Sequence, residues 1–382
     1  MAGKRSIFEE VGAGPVTVPM GGMIASADRG ARSGVRLWLV LIFLLVAAMI
    51  GVGGLTRLTD SGLSITEWRP VMGALPPLND ADWADQFGKY QASPQYKLTN
   101  QGMTLDQFKP LFWWEWAHRN LARVIGLVWA VGFAGFLLMR RIPVGWTRRL
   151  FGIGLLGGMQ GAIGWWMVAS GLTGAMVSVA SYRLAVHLGL AFVILGLIAG
   201  WVFLLGRSET DLMKARRVSE ARLTRLATVV LALLFLQILL GALVAGIDAG
   251  RAYPTWPDMN GQFFPADAFY VPGRPAWAAF FENPGLVQFM HRMSGYLLFV
   301  VGLGAWWVSR KSAYQATKAA FNGMALMLVA QVALGIWTAL SAAQLHVAIT
   351  HQVGAVILWV LVIRARHLAI YPVQGSIREG TA

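Results

Sequence analysis

The sequence predicts an all-α integral membrane protein in which eight transmembrane helices form two tandem, pseudo-symmetric four-helix bundles. Three observations predict it. Of the 382 residues, 56% are hydrophobic and only 13% charged, about half the charged share of a soluble domain. Apolar runs close to the ~20 residues that cross a bilayer recur along the chain, and none shows the ten-residue alternation of a membrane barrel strand. The second half of the chain also rewrites the first.

In order, residues 1–36 are Gly-rich and basic, have no apolar signal core, and read as a loose cytoplasmic tail. The expected spans are 37–56, 117–139, 149–169 and 183–205 in an N-terminal bundle of residues 37–206. A cytoplasmic linker, 207–223, leads to spans 224–246, 291–309, 319–340 and 346–364 in a C-terminal bundle of residues 224–365, followed by a cytoplasmic tail, 366–382. The segments 57–115 and 247–290 are rich in Trp, Pro and Gly and are expected to form short interfacial helices or turns on the outer side. Many of the 17 tryptophans suit interface anchoring.

The net charge of +14 is topological rather than a nucleic-acid footprint. Its excess lies in the N-terminal tail, "RRIPVGWTRR", "GRSETDLMKARRVSEARLTR", "SRKSAYQATK" and the tail from Arg364. Lys/Arg bias in short loops sets orientation, so both termini are expected in the cytoplasm of a cell inner membrane protein, with no nucleic-acid partner. The chain has no cysteine, which excludes disulfides, thiolate metal sites and cysteine nucleophiles.

Self-comparison shows the repeat. "MQGAIGWWMVASGL" resembles "AQVALGIWTALSAA", setting Gln160 against Gln331; "AVHLGLA" resembles "ITHQVGA", setting His187 against His351; and "GGLTRLTDSGL" matches "GALVAGIDAGR", setting Asp60 against Asp248. Four crossings return the chain to its starting side, so the two copies have parallel topology. Each even-numbered span carries a histidine at its outer end: His118, His187, His291 and His351. A single such histidine is as readily a packed polar residue as a ligand. Four at equivalent positions favour ligation, because ionisable groups in membrane segments are functional by default and neutral imidazole is a common metal ligand. Paired helices can offer two imidazoles to opposite faces of a haem, so two bundles make two sites near one leaflet. His346 stands five residues before His351, about 140° around the helix, and reads as a loop or cap residue; His367 lies in the basic end and is expected to be solvated.

Glu115 breaks the symmetry, since Gln288 occupies the corresponding position three residues before His291. A carboxylate at i, i+3 from His118 shares its helix face. It has three uses: orienting the imidazole, handling protons, or serving as a helix N-terminal charge. Arg119, Arg123, Arg183 and Arg292 stand at the same mouths, where guanidinium groups either pair with haem propionates or snorkel to headgroups.

The stretch "GGLTRLTDSGLSITEWRPVMGALPPL" resembles the haem A synthase family, in the branch shared by mitochondria and alphaproteobacteria. The resemblance continues through "WWEWAHRNLARVIG", "QGAIGWWMVASGL", "HLGLA", "PTWPDMNG", "FENPGLVQFMHRMSGY" and "THQVGA", covering about residues 36–365. It implies an oxidoreductase of two four-helix bundles that converts a methyl group of haem O to the formyl group of haem A for terminal oxidase assembly, through alcohol and gem-diol stages. Carried over by motif, Glu115, His118 and His187 would serve the haem O substrate as catalytic residues. His291 and His351 would hold haem b iron, with Arg292 and Arg119 as further cofactor-binding candidates. The implied partners are an external electron-transfer protein, haem O synthase, oxidase assembly factors, membrane lipid and a second copy of the chain. The chain departs from some bacterial members in lacking a cysteine pair in the first outer loop, so no mechanism needing that pair operates here. Two other classes compete: a di-haem membrane cytochrome b for electron transfer, which leaves Glu115 unexplained, and a repeat-built transporter, which predicts broken helices at the midplane.

Overall fold

The computed structural model of the protein describes residues 21–69, 71–174 and 176–373. Among them the regular structure is helical, apart from an isolated bridge between Met259 and Gln262. The α-helices are α1 (Gly21–Leu58), α2 (Asp80–Gln91), α3 (Pro94–Leu98), α4 (Leu105–Leu138), α5 (Thr147–Gly171), α6 (Ser181–Leu205), α7 (Glu209–Arg217), α8 (Ala221–Gly246), α9 (Ala279–Glu282), α10 (Pro284–Ser309), α11 (Gln315–Leu340) and α12 (Leu345–Ile370).

Seven of these are long and apolar enough to cross a membrane: α1 from Gly30 onward, α4, α6, α8, α10, α11 and α12. The expected span at 149–169 folds as α5, which at 25 residues equals α6 in length. Its glycines, Gln160 and paired tryptophans dilute its hydropathy, and by that criterion it is not among the seven.

Helices α1, α4 and α10 start well before their apolar runs. α1 begins at Gly21, so the part of the expected loose tail from residue 21 to 36 is helical, and residues 1–20 lie outside the described residues. Its Arg32 is only 5% exposed and donates to the carbonyls of Leu204 and Arg207 and to Glu209. α4 starts at a capping box in which Thr104 and Gln107 exchange side-chain and backbone bonds. Its first turns are polar outside but present Phe108 and Phe112, one turn apart, to Tyr90, Phe87 and Trp83. The expected linker 207–223 contains α7, capped by the Ser208 hydroxyl at the Asp211 amide.

Helix α1 packs on α4 and α6, and α5 packs on the same two helices. Likewise α8 packs on α10 and α12, and α11 packs on those two. Contacts of α6 with α8 and α12, and of α1 with α12, join the halves. A single apolar core runs through both, with Phe192 meeting Trp359 edge to face at 5.9 Å.

At one end, Arg32 ties the start of α1 to the end of α6, Arg207 donates to the Tyr371 carbonyl past α12, and the Glu220 amide donates to Ala369. The start of α1 and the end of α12 therefore share a face. At the opposite end, Arg57 of α1 pairs with both Asp60 and Asp248 at 2.7 Å. Those two aspartates were matched by sequence, and both adopt the left-handed backbone, with φ of 53° and 54°.

Two tryptophans lock helix crossings in one way. The Trp38 indole lies over Gly132 and donates to Val128 O at 3.0 Å; the Trp129 indole lies over Gly154 and donates to Leu150 O at 3.0 Å. An added Cβ at either glycine would overlap the indole. Gly132→Ala and Gly154→Ala are therefore expected to destabilise by about 1–3 kcal/mol each, checked by thermal unfolding of the solubilised protein. Tm values at or above wild type would refute the crossing argument.

Candidate functional site

The four predicted histidines occupy equivalent places. His187, His291 and His351 lie about two turns inside α6, α10 and α12, ~10 Å from the helix start at 1.5 Å per residue. They are thus inside the helices rather than at their lips, and His118 lies deeper still because α4 is extended. His118 on α4 and His187 on α6 belong to one half, and His291 on α10 and His351 on α12 to the other.

Each imidazole rests against a glycine of the helix that pairs with its own. A Cβ placed on Gly53 of α1 would lie 3.1 Å from His118 Nε2; on Gly164 of α5, 2.9 Å from His187 Cε1; on Gly241 of α8, 3.1 Å from His291 Cε1; and on Gly335 of α11, 3.2 Å from His351 Cε1. Four residues before three of these glycines stands a glutamine on the same helix face. Gln160 Nε2 donates to His187 O at 2.9 Å, Gln237 Nε2 to His291 O at 3.0 Å, and Gln331 Nε2 to His351 O at 3.0 Å. Gln160 and Gln237 also reach the imidazole nitrogens, at 3.2 and 3.1 Å from Nδ1, and Ser294 donates to Gln237 Oε1.

Sequence reasoning matched Gln160 to Gln331 but missed Gln237 and the glycines. The signal was present as "QGAIG", "QILLG" and "QVALG", a Q-x-x-x-G period in each.

Among the described residues no group of three or more His, Asp or Glu converges to hold a bare metal ion. Two imidazoles per bundle instead fit a metal whose other positions are filled by a macrocycle. The buried His351 Nδ1, Gln160 Oε1 and Gln331 Oε1 also have no hydrogen-bond partner, which marks these places as built for something besides helix packing. The residues present therefore fit bis-histidine haem ligation.

Glu115 is 2% exposed and saturated. Its Oε1 accepts from Arg119 Nε at 3.0 Å and Nη2 at 2.6 Å, and its Oε2 accepts from Ser64 Oγ and Ile65 N, both at 2.7 Å. It therefore does not bond His118. With α4 starting ten residues earlier, at Leu105, Glu115 is not a helix N-terminal charge either. Arg119 goes on to Ile65 O at 2.7 Å and Glu67 O at 2.9 Å, binding segment 64–67 onto α4.

The second half has the same plan with different chemistry. Gln288 accepts from Arg292 Nη2 at 3.2 Å and donates to Ala249 O at 3.1 Å, while Arg292 holds the carbonyls of Tyr253, Thr255 and Asp258. The Asp258 carboxyl is held below the usual carboxylate range, first by the Gly261 amide and then by Thr255. Arg292 thus spends three donors on loop carbonyls, and Arg119 divides its donors between two loop carbonyls and Glu115. Arg123 holds Arg69 O and Asn120, and Arg183 holds Trp166 O while its guanidinium stacks over the Trp166 ring at 4.3 Å. His346 is exposed in the first turn of α12, within the helix rather than in a loop or at the cap, which is Gln344. His367 is not simply solvated as expected: its ring is half-buried between Phe203 and Tyr371, at 5.6 and 5.2 Å, because the tie of α6 to the end of α12 brings those aromatics over it.

Comparison with known proteins accords with this arrangement. A family profile described as "Cytochrome oxidase assembly protein" (COX15-CtaA) matches residues 36–363. A protein named heme A synthase from Cereibacter sphaeroides (strain ATCC 17029) is 64% identical over 99% of both chains. Proteins of the same name from Dinoroseobacter shibae and Ruegeria pomeroyi are 60% and 59% identical, over 100% and 99% of this chain and all of their own. The chain belongs to the COX15-CtaA family of cytochrome oxidase assembly proteins.

Proposed function

We propose that this chain is a haem A synthase of the bacterial inner membrane, which oxidises a methyl group of haem O to the formyl group of haem A. The observation that carries the reading is the fourfold histidine-on-glycine cradle, joined to full-length identity with relatives that bear that name. The N-terminal half, residues 37–206, would take haem O between His118 and His187. The C-terminal half, residues 224–365, would keep a haem b between His291 and His351. A haem b held there supplies one-electron transfer chemistry, which methyl oxidation in successive two-electron stages requires, together with an external electron-transfer partner.

The protein's own groups do the rest. The two imidazoles of each pair bind and orient, and the glycines hold them in place. Glu115, paired with Arg119, would hold segment 64–67 over the pocket to exclude water. Arg119 and Arg292 would anchor the outer loops and meet propionates only with the donors that remain.

The same reading makes α5 an eighth crossing, giving two tandem four-helix bundles with both termini in the cytoplasm. An even number of crossings is supported by the start of α1 and the end of α12 sharing a face. The orientation is supported by the basic composition of that face.

The test is chromatography of haems extracted from the purified protein after supply of haem O. Haem b together with haem O, haem A or an alcohol intermediate is the expected result. Haem b alone, with haem O supplied, would favour a di-haem cytochrome b instead.

A further inference from the structure

The glutamine clamp is present in three helix pairs and missing from the fourth. Counting four residues back from Gly53, as from Gly164, Gly241 and Gly335, gives Met49 rather than glutamine. A thioether has no N–H to donate. Among the described residues no side chain hydrogen-bonds the carbonyl or ring of His118.

Helix α1 does bond to α4, through Trp38 to Val128 O at 3.0 Å and Thr56 to Trp114 O at 3.4 Å, but at other levels than His118. At the level of His118, α1 is tied to the other half of the protein: Gln352 Nε2 donates to Ile50 O at 2.6 Å.

Resting on the function proposed above, we infer that His118 is the exchangeable ligand of the substrate pair, and that Gln160, Gln237 and Gln331 are positioning residues that keep the other three imidazoles in place. The two pairs face opposite demands. The substrate pair must let a product leave at every turnover, while the cofactor pair must not. The cofactor pair has both histidine backbones clamped by glutamine, and the substrate pair has one clamped and one free. Gln160 and Gln237 also reach the ring of their histidine, and loss of such a partner of a ligating imidazole lowers metal affinity by about 10- to 100-fold, enough to decide which of two histidines lets go.

Carbon monoxide tests this without turnover, because it enters a bis-histidine ferrous haem only where an imidazole has dissociated. The measurement is stopped-flow CO binding to the full-length, reduced protein with both haems bound. In wild type, one haem is expected to take CO and the other to stay inert. Met49→Gln should slow the reactive haem by about 10- to 100-fold at unchanged haem content, and Gln237→Met should make the inert one reactive.

An unchanged CO rate in Met49→Gln with both haems present would overturn the inference, as would wild-type CO binding at the C-terminal haem. If Met49→Gln does not hold haem, Gln237→Met decides alone, and continued inertness overturns the inference. Absence of any haem from the N-terminal pair of wild type would instead sink the synthase reading itself, so the two failures are distinguishable by haem content.

Discussion

Replacing Glu115 by alanine is expected to cost about 3–5 kcal/mol, the usual penalty for stranding one member of a buried ion pair. The side chains of Glu115 and Arg119 are 3% and 15% exposed, and their closest contact is 2.6 Å. Removing the carboxylate leaves the guanidinium with only the Ile65 and Glu67 carbonyls, and leaves the Ser64 hydroxyl and Ile65 amide facing an empty acceptor position.

The other half explains why the conservative exchange fails as well. Position 288 faces the Ala249 carbonyl, an acceptor, which suits an amide; position 115 faces two donors, which suit a carboxylate. Glu115→Gln would turn an N–H toward one of those donors or toward the guanidinium, and Gln288→Glu would turn an oxygen toward a carbonyl. Both are expected to lower Tm of the solubilised protein. Arg119→Ala combined with Glu115→Ala should lose less than the two single losses added together. Strict additivity would mean that the pair does not bind segment 64–67, and that Glu115 acts on the pocket alone.

Much of this was legible in the sequence. The Gln160–Gln331 and Asp60–Asp248 matches follow from residue identity at fixed spacing, and each matched pair stands in like surroundings. The helix starts were not legible, because polar, aromatic-bearing turns such as 105–116 look like loop by hydropathy and become helix only when Phe108 and Phe112 find Tyr90. The role of Glu115 was not legible either. A carboxylate three residues from a candidate ligand suggests chemistry, while its four donors come partly from a loop some 50 positions away in the chain. The glycines escaped notice for a different reason: in a chain with 44 of them, each is unremarked until something is seen to occupy its missing Cβ.

That missing Cβ leads to the second large effect. A glycine inside a helix costs roughly 0.5–1 kcal/mol relative to alanine, so four of them facing four imidazoles represent stability given up for space. Where nothing occupies the space, alanine should recover it: Gly200 in α6 and Gly304 in α10 have no atom within 4 Å of an added Cβ, and Gly200→Ala and Gly304→Ala are expected to be neutral or stabilising. Where an imidazole occupies it, a larger side chain must displace the imidazole. Gly335→Leu should empty the C-terminal haem pair and spare the N-terminal one, and Gly164→Leu should do the reverse. Alanine should act in graded fashion, with Gly164→Ala, at 2.9 Å, disturbing its histidine more than Gly335→Ala, at 3.2 Å. Haem content per polypeptide and the absorption spectrum of each variant check the pattern. A leucine variant that keeps both haems with unchanged spectra would mean that the imidazoles do not need the glycines, and that the cradle reflects close helix packing alone.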